Sequence, residues 1–184
     1  MKQDSHISYG AKWGVIIGLI YCVLLYLRYE MGVSNPIVLS LWSFVGYLIV
    51  LILLLVSGFR LRKMVGGFIE LKDVFKVLFC SVLIYELFYA VFNFVYLKYI
   101  NPNFFIHLKE ATEAFLIKSG QPQDKIDEMM KGMDKASVQD MHIGDLLKSY
   151  LFSISVSGIF ALIFSLIIRK KDPFAGEQNR ILNP

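Results

Sequence analysis

Cysteine and charged residues are both scarce in this chain of 184 residues. The two cysteines, Cys22 and Cys80, are too few for a disulfide framework or a structural zinc site. Charged residues make up 18% of the chain and apolar residues 56%, whereas soluble domains average about 25% and about 45–50%. The apolar excess lies in long runs, which excludes intrinsic disorder and argues against a single soluble core.

Sequence motifs of the common catalytic sites are also missing. The chain contains no P-loop, no G-x-S-x-G, no H-E-x-x-H and no C-x-x-C. We therefore assign no catalytic residue, no metal and no cofactor, and we expect a protein that is not an enzyme. The basic clusters lack the interleaved aromatic residues typical of nucleic-acid binding, so we also expect no nucleic-acid partner.

Four long apolar runs dominate the sequence. The hydrocarbon core of a bilayer is about 30 Å thick, so a helix needs about 20 mostly apolar residues to cross it. The sequence thus predicts an all-α, polytopic membrane protein, with a single four-helix membrane domain at residues 1–174 and a polar tail at residues 175–184. The four transmembrane helices are predicted at residues 10–27, 37–59, 77–97 and 150–168.

The first apolar run also has features of a secretory signal peptide, because Lys2 precedes it. A cleaved signal ends in a site of small residues. This run instead ends in the bulky and charged residues LYLRYE. We therefore interpret it as an uncleaved membrane anchor.

The positions of Lys and Arg predict the orientation of the chain. Short cytoplasmic loops carry an excess of these residues. One basic cluster lies between the second and third spans and another follows the fourth, whereas Arg28 is the one basic residue between the first two spans. Both termini are therefore predicted to be cytoplasmic, and the loop 98–149 to lie on the outer face. The two clusters comprise Arg60, Arg62, Lys63, Lys72, Lys76, Arg169, Lys170, Lys171 and Arg180.

Two regions outside the spans have apolar residues at helical spacing. Residues 64–76 predict either an amphipathic helix in the inner interface or an extension of the third span. The outer loop is predicted to be folded, with two short helices and a third that starts between Ser137 and Gly144, because its apolar stripes need cover. These stripes comprise Phe104, Phe105, Leu108, Ala111, Thr112, Phe115 and Leu116, and then Ile126, Met129, Met130 and Met133.

A polar face on the third span is the main candidate for a functional site. A carboxyl near the middle of a membrane is costly, so Glu86 is expected to face the bundle. It would serve either as a proton-coupled or polar substrate site, or as a structural group bonded to hydroxyls such as those of Tyr47 or Ser43. We favour the structural interpretation, because no basic residue is predicted deep in another span. The face comprises Glu86, Tyr89, Asn93 and Tyr96.

Small residues form stripes on the first and fourth spans. Such stripes let helix backbones approach closely, and they would pair these two spans with each other. A homodimer interface is the alternative use of the same residues. The stripes comprise Gly10, Gly14 and Gly18, and then Ser153, Ser157, Ala161 and Ser165.

Two histidine–acid pairs in the outer loop have a spacing that can present two metal ligands. They are His107-x-x-Glu110 and His142-x-x-Asp145. Metal sites in helical bundles need several such pairs to converge. The flanking residues here are ordinary surface residues, so we interpret both pairs as solvated.

The order of these features resembles that of a known family. The segment YGAKWGVIIGLI opens the first span, GGFIELKDVFKVLF leads into the third, and YLKYINPNFF follows it. The pattern G-x-I-x-x-K-x-x-F-K between Gly67 and Lys76 is the most characteristic piece. From about Ser8 to Phe174 the chain resembles the DUF4199 family of small bacterial membrane proteins, found mainly in Bacteroidota. The resemblance implies a four-span protein of the bacterial inner membrane and no particular chemistry.

Three classes of function remain open at this point. The first, which we favour, is a non-catalytic accessory or scaffold subunit whose outer loop binds a membrane or envelope protein, since Met-rich surfaces suit adaptable binding. The second is a small transporter or channel component that uses Glu86 and Asn93. The third is a lipid-modifying membrane enzyme. The lipid bilayer is a partner in each case, and a homo-oligomer is left open.

Overall fold

The computed structural model describes residues 3–134 and 143–170, and this part of the chain is almost entirely helical. The predicted tail at 175–184 and most of the segment 137–144 lie outside these residues. The helices are α1 (Gln3–Gly32), α2 (Pro36–Met64), α3 (Leu71–Val95), α4 (Phe104–Lys118), α5 (Gln123–Asp134) and α6 (Ile143–Ile168), and a π-helical turn (Tyr96–Ile100) extends α3.

Four of the helices are long and apolar enough to cross a membrane. Their candidate spans contain 27, 29, 30 and 26 residues. A helix rises 1.5 Å per residue, so even the shortest extends about 39 Å, more than the hydrocarbon thickness of about 30 Å. The prediction of an all-α chain with four membrane-spanning helices is therefore confirmed. The four spans are His6–Gly32, Pro36–Met64, Leu71–Ile100 and Ile143–Ile168.

The connection between α2 and α3 is a tight turn. Gly66 and Gly67 have φ angles of +88° and +92°, a conformation that glycine adopts without steric cost. Helix α3 then begins at Leu71. The expectation of a separate interfacial helix over residues 64–76 is therefore wrong, and the alternative, an extension of the third span, holds from Leu71 onward.

Helix α1 packs in parallel along α3, and the glycine stripe makes this possible. A Cβ atom at Gly14 would lie 2.8 Å from Cβ of Ile84 and 3.0 Å from the carbonyl oxygen of Ser81. Nearer the N-terminal ends of both helices, the Ser81 hydroxyl donates to the carbonyl oxygen of Gly10 at 2.8 Å. The predicted pairing of the first span with the fourth is therefore wrong, since this stripe lies against α3.

Helix α6 packs against α3 and more lightly against α2. Ser157, Ala161 and Ser165 are buried, and Ser153 is half-buried. The buried residues of α2 start at Gly46, and those of α6 start at Ser157. In both helices the fully buried residues therefore lie towards the C-terminal end.

The end of the bundle that contains the α2–α3 turn is closed by backbone hydrogen bonds. Ile69 and Lys170 exchange N–H···O bonds of 2.9 and 3.1 Å. The Arg62 guanidinium donates to the carbonyl oxygen of Ile168 at 3.3 Å, which satisfies one of the free acceptors at the end of α6. These contacts hold the end of α6 against the α2–α3 turn.

At the opposite end, α4 and α5 form a folded cap. Phe104 packs edge-on against Tyr29 of α1, with ring centroids 4.9 Å apart. Leu108, one turn further along α4, belongs to the same buried cluster. Helix α5 covers α4 with Ile126 and Met130, both of which are buried. Helices α4 and α5 thus cover one apolar face of each other and this end of the bundle.

Candidate functional site

The carboxyl group of Glu86 lies midway along the 30-residue span Leu71–Ile100 and is 2% exposed. Its position is about 22 Å along the helix axis from Leu71. Neighbouring apolar residues of α3, such as Leu87 and Val91, face outward. The helix therefore turns its one mid-span acid inward and its aliphatic residues towards lipid, as the cost of charge in hydrocarbon requires.

Ser157 of α6 is the direct partner of this carboxyl. Its hydroxyl donates to Oε1 of Glu86 at 2.5 Å, and the hydroxyl of Tyr47 lies 3.3 Å from Oγ of Ser157. The hydrogen-bonded chain thus joins α2, α3 and α6. Tyr47 was one of the expected partners and reaches Glu86 only through Ser157, whereas the Ser43 hydroxyl donates to Leu39 of its own helix at 2.6 Å.

A fully buried tyrosine, Tyr85, completes the cluster. Its hydroxyl forms no hydrogen bond of normal geometry among the described residues, although it lies near the Ser157 hydroxyl and the Glu86 carboxyl. Its ring packs edge-on against Tyr21 of α1 at 6.5 Å. One carboxyl and the hydroxyls of Ser157, Tyr47 and Tyr85 therefore meet near the middle of the membrane-spanning segments.

The other members of the predicted polar face point to a different helix. The ring of Tyr89 stacks on Tyr21 at 5.2 Å, Asn93 accepts a hydrogen bond from the Tyr29 hydroxyl, and the Tyr96 hydroxyl donates to Glu30 at 2.7 Å. These three residues contact α1, while Glu86 contacts α6. Ten residues of an α-helix leave Glu86 and Tyr96 about 80° apart around the axis, so one stripe reaches two neighbours.

Arg28 is a polar residue of the bundle that the sequence analysis assigned to a loop. Helix α1 continues to Gly32, so Arg28 lies inside it. Its Nε atom is buried and has no hydrogen-bond partner in the described part of the chain, and its guanidinium lies 5.3 Å from the centre of the Tyr29 ring. The sequence spacing could have shown this, because Arg28 lies seven residues after Tyr21, and residues seven apart share one helix face.

The histidine–acid pairs do not converge with other ligands in the described regions. His107 Nδ1 lies 3.6 Å from Glu110, and both side chains are more than half exposed. His142 lies outside the described residues. Within residues 3–134 and 143–170, no group of three or more His, Cys, Asp or Glu side chains is arranged to hold a metal ion.

Comparison with known proteins identifies a family. The family model described as "protein of unknown function (DUF4199)" matches residues 12–170. Searches of the curated proteins and of the solved structures found no match. The match begins within α1, includes the other three spans and helices α4 and α5, and assigns no activity to any residue.

Proposed function

The chain belongs to the DUF4199 family, whose function is unknown, and we propose that it is a non-catalytic accessory or scaffold subunit of the bacterial inner membrane. In this proposal the outer helices α4 and α5 bind another membrane or envelope protein. The four long helices hold this binding surface at the bilayer. The supporting observation is that the folded α4–α5 pair keeps large apolar side chains exposed.

These exposed side chains lie on helices that already have a covered face. Ile126 and Met130 are buried, while Ile117 and Met129 are 58% and 51% exposed. Exposed apolar surface on a polar segment is typical of interaction sites. Helix α5 carries acidic residues in its first two turns, whereas helices that lie on membranes are usually rich in Lys and Arg. A protein is therefore a better occupant of this surface than the bilayer.

The orientation proposed for the chain has both termini in the cytoplasm. Basic residues that precede the α2–α3 turn, including Arg60 and Arg62, lie at the same end of the bundle as Lys170. Such clusters mark the cytoplasmic side. A reporter enzyme that is active only in the cytoplasm, fused after Pro184, should be active. An inactive fusion of a stably inserted protein would contradict this orientation.

Photocrosslinking in native membranes tests the partner proposal. A photoreactive phenylalanine analogue at Met129 should give an adduct of one discrete mass, and an Ile117→Glu substitution should abolish it. The matched control is the same analogue at Phe44, which is exposed on the membrane-spanning helix α2. Recovery of monomer only, or the same products from both positions, would contradict the proposal. An adduct of twice the mass of the chain would show a homo-oligomer instead.

A small transporter or channel component is the second candidate, favoured by the buried Glu86 carboxyl and the hydroxyls of Ser157, Tyr47 and Tyr85 clustered around it. Asn93, which this candidate also uses, already bonds to Tyr29. The test is ion flux through reconstituted vesicles with the wild type and Glu86→Gln. Unchanged flux of every ion tried, with an intact fold, would exclude this role. The third candidate, a lipid-modifying enzyme, has no comparable observation in its favour.

A further inference from the structure

Arg28 directs a cationic side chain into the outer part of the bundle. It lies four residues before Gly32, about 6 Å from the outer end of α1. Side chains on a helix tilt towards its N-terminus, so at this end of α1 they tilt towards the membrane interior. The buried Nε atom agrees with that direction. The stem of Arg28 up to Nε is therefore held against the bundle below the helix end, while the residue as a whole is partly buried.

This cation has no acidic partner in the described part of the chain. The nearest acid in sequence, Glu30, accepts a hydrogen bond from Tyr96 and forms no ion pair with Arg28. The contact found for the guanidinium is with the face of the Tyr29 ring, which leaves its in-plane N–H donors free of that contact. An arginine within a membrane-spanning segment is costly and normally pairs with an anion, so the missing counter-charge needs an explanation.

The groups around Arg28 are suited to an oxyanion. The ring of Tyr29 lies against the guanidinium, whose central carbon is 5.3 Å from the ring centroid. Tyr29 is held in place by its hydrogen bond to Asn93 and by stacking on Tyr96 at 4.6 Å. A guanidinium fork binds phosphate and carboxylate oxygens through two parallel N–H···O bonds. Fixed aromatic neighbours reduce the entropy that such binding costs.

We propose that Arg28, beside the fixed ring of Tyr29, binds the phosphate or carboxylate group of an anionic ligand in the outer part of the bundle. The ligand supplies the counter-charge that the described residues do not provide. This site lies within α1 and is separate from the exposed surface of α4 and α5. The inference therefore stands or fails independently of the proposed partner binding.

Binding can be measured as thermal stabilisation of the full-length protein in maltoside micelles. One titration uses inorganic phosphate at constant ionic strength, balanced with chloride. The other compares phosphatidylglycerol with a glycolipid that has the same chains and no phosphate. A response to inorganic phosphate indicates a free anion as the ligand, and a response to phosphatidylglycerol alone indicates a lipid headgroup. Either response supports the site if it depends on Arg28.

Three variants determine that dependence. Arg28→Gln should weaken the response about ten- to a hundred-fold, the usual effect of losing a charge-assisted hydrogen bond. Arg28→Lys keeps the charge but loses the fork, so it should fold and bind with intermediate affinity. Arg60→Gln is the matched control, because Arg60 lies 5.4 Å from the Trp13 ring at the other end of the bundle. An absent response in the wild type, or equal responses in the wild type and Arg28→Gln, would overturn the proposal.

Discussion

Replacement of Ser157 by alanine tests whether Glu86 acts as a structural junction between helices. The substitution removes the donor of the 2.5 Å hydrogen bond to Oε1 of Glu86 and also the group that lies 3.3 Å from the Tyr47 hydroxyl. Both Glu86 and Ser157 are buried, so no solvent replaces the lost donor. The carboxyl group is then left without its interhelical partner.

Two ranges of measured hydrogen-bond energies bound the loss of stability expected for Ser157→Ala. Hydrogen bonds to charged groups contribute about 1.5–3 kcal/mol in water-soluble proteins. Polar contacts between membrane helices average about 0.6 kcal/mol and reach about 1.7 kcal/mol, because the unfolded chain in the membrane also finds partners. The Ser157 bond involves a carboxyl in the middle of the span, so it belongs near the top of the membrane range. We expect Ser157→Ala to lower the free energy of unfolding by about 1–2 kcal/mol.

Equilibrium unfolding in mixed micelles, with increasing denaturing detergent, measures this loss. The matched control is Ser155→Ala on the same helix, since Ser155 is exposed and its hydroxyl donates only to Leu151 of α6 at 2.8 Å. The control should stay within about 0.5 kcal/mol of the wild type. If Ser157→Ala destabilises the protein no more than Ser155→Ala does, the bond between Ser157 and Glu86 contributes nothing to stability, and Glu86 is not a structural junction between helices.

Two further predictions concern packing at other places. Gly14→Ala places a Cβ atom 2.8 Å from an α3 side chain, so overpacking should lower the free energy of unfolding by about 1–3 kcal/mol in the same assay. The control is Gly132→Ala, whose added Cβ atom meets no atom of the described residues within 4 Å beyond the adjoining backbone and which should be neutral or stabilising. Equal effects of the two substitutions would contradict the close α1–α3 contact. Phe104→Ala removes a buried ring from the contact between α4 and the bundle, so limited proteolysis should cut residues 104–134 at least tenfold faster than in the wild type. The control, Ile106→Ala at an exposed position, should leave the cleavage rate unchanged. Equal cleavage rates for the two variants would show that the Phe104 ring does not hold the cap on the bundle.

The sequence predicted the positions of the spans well, because the match between an apolar run and the bilayer thickness depends on the run alone. The inward direction of Glu86 could be predicted for the same reason, since lipid excludes a carboxyl wherever the helix lies. The ends of the helices were less predictable. Helix α1 continues to Gly32, beyond the last purely apolar residues, because polar and aromatic side chains of its last turns pack against other parts of the bundle.

The contacts made by the polar and small residues of the spans depend on which helices are neighbours in the bundle. The small-residue stripes of α1 and α6 look alike in sequence, yet one packs on α3 and the other meets Glu86. Helical spacing defines a face and does not name the helix opposite to it. The hydroxyl that bonds Glu86 and the missing counter-charge of Arg28 are therefore properties of the tertiary arrangement. Local apolar content set the four spans, and long-range packing decided which of their polar groups meet.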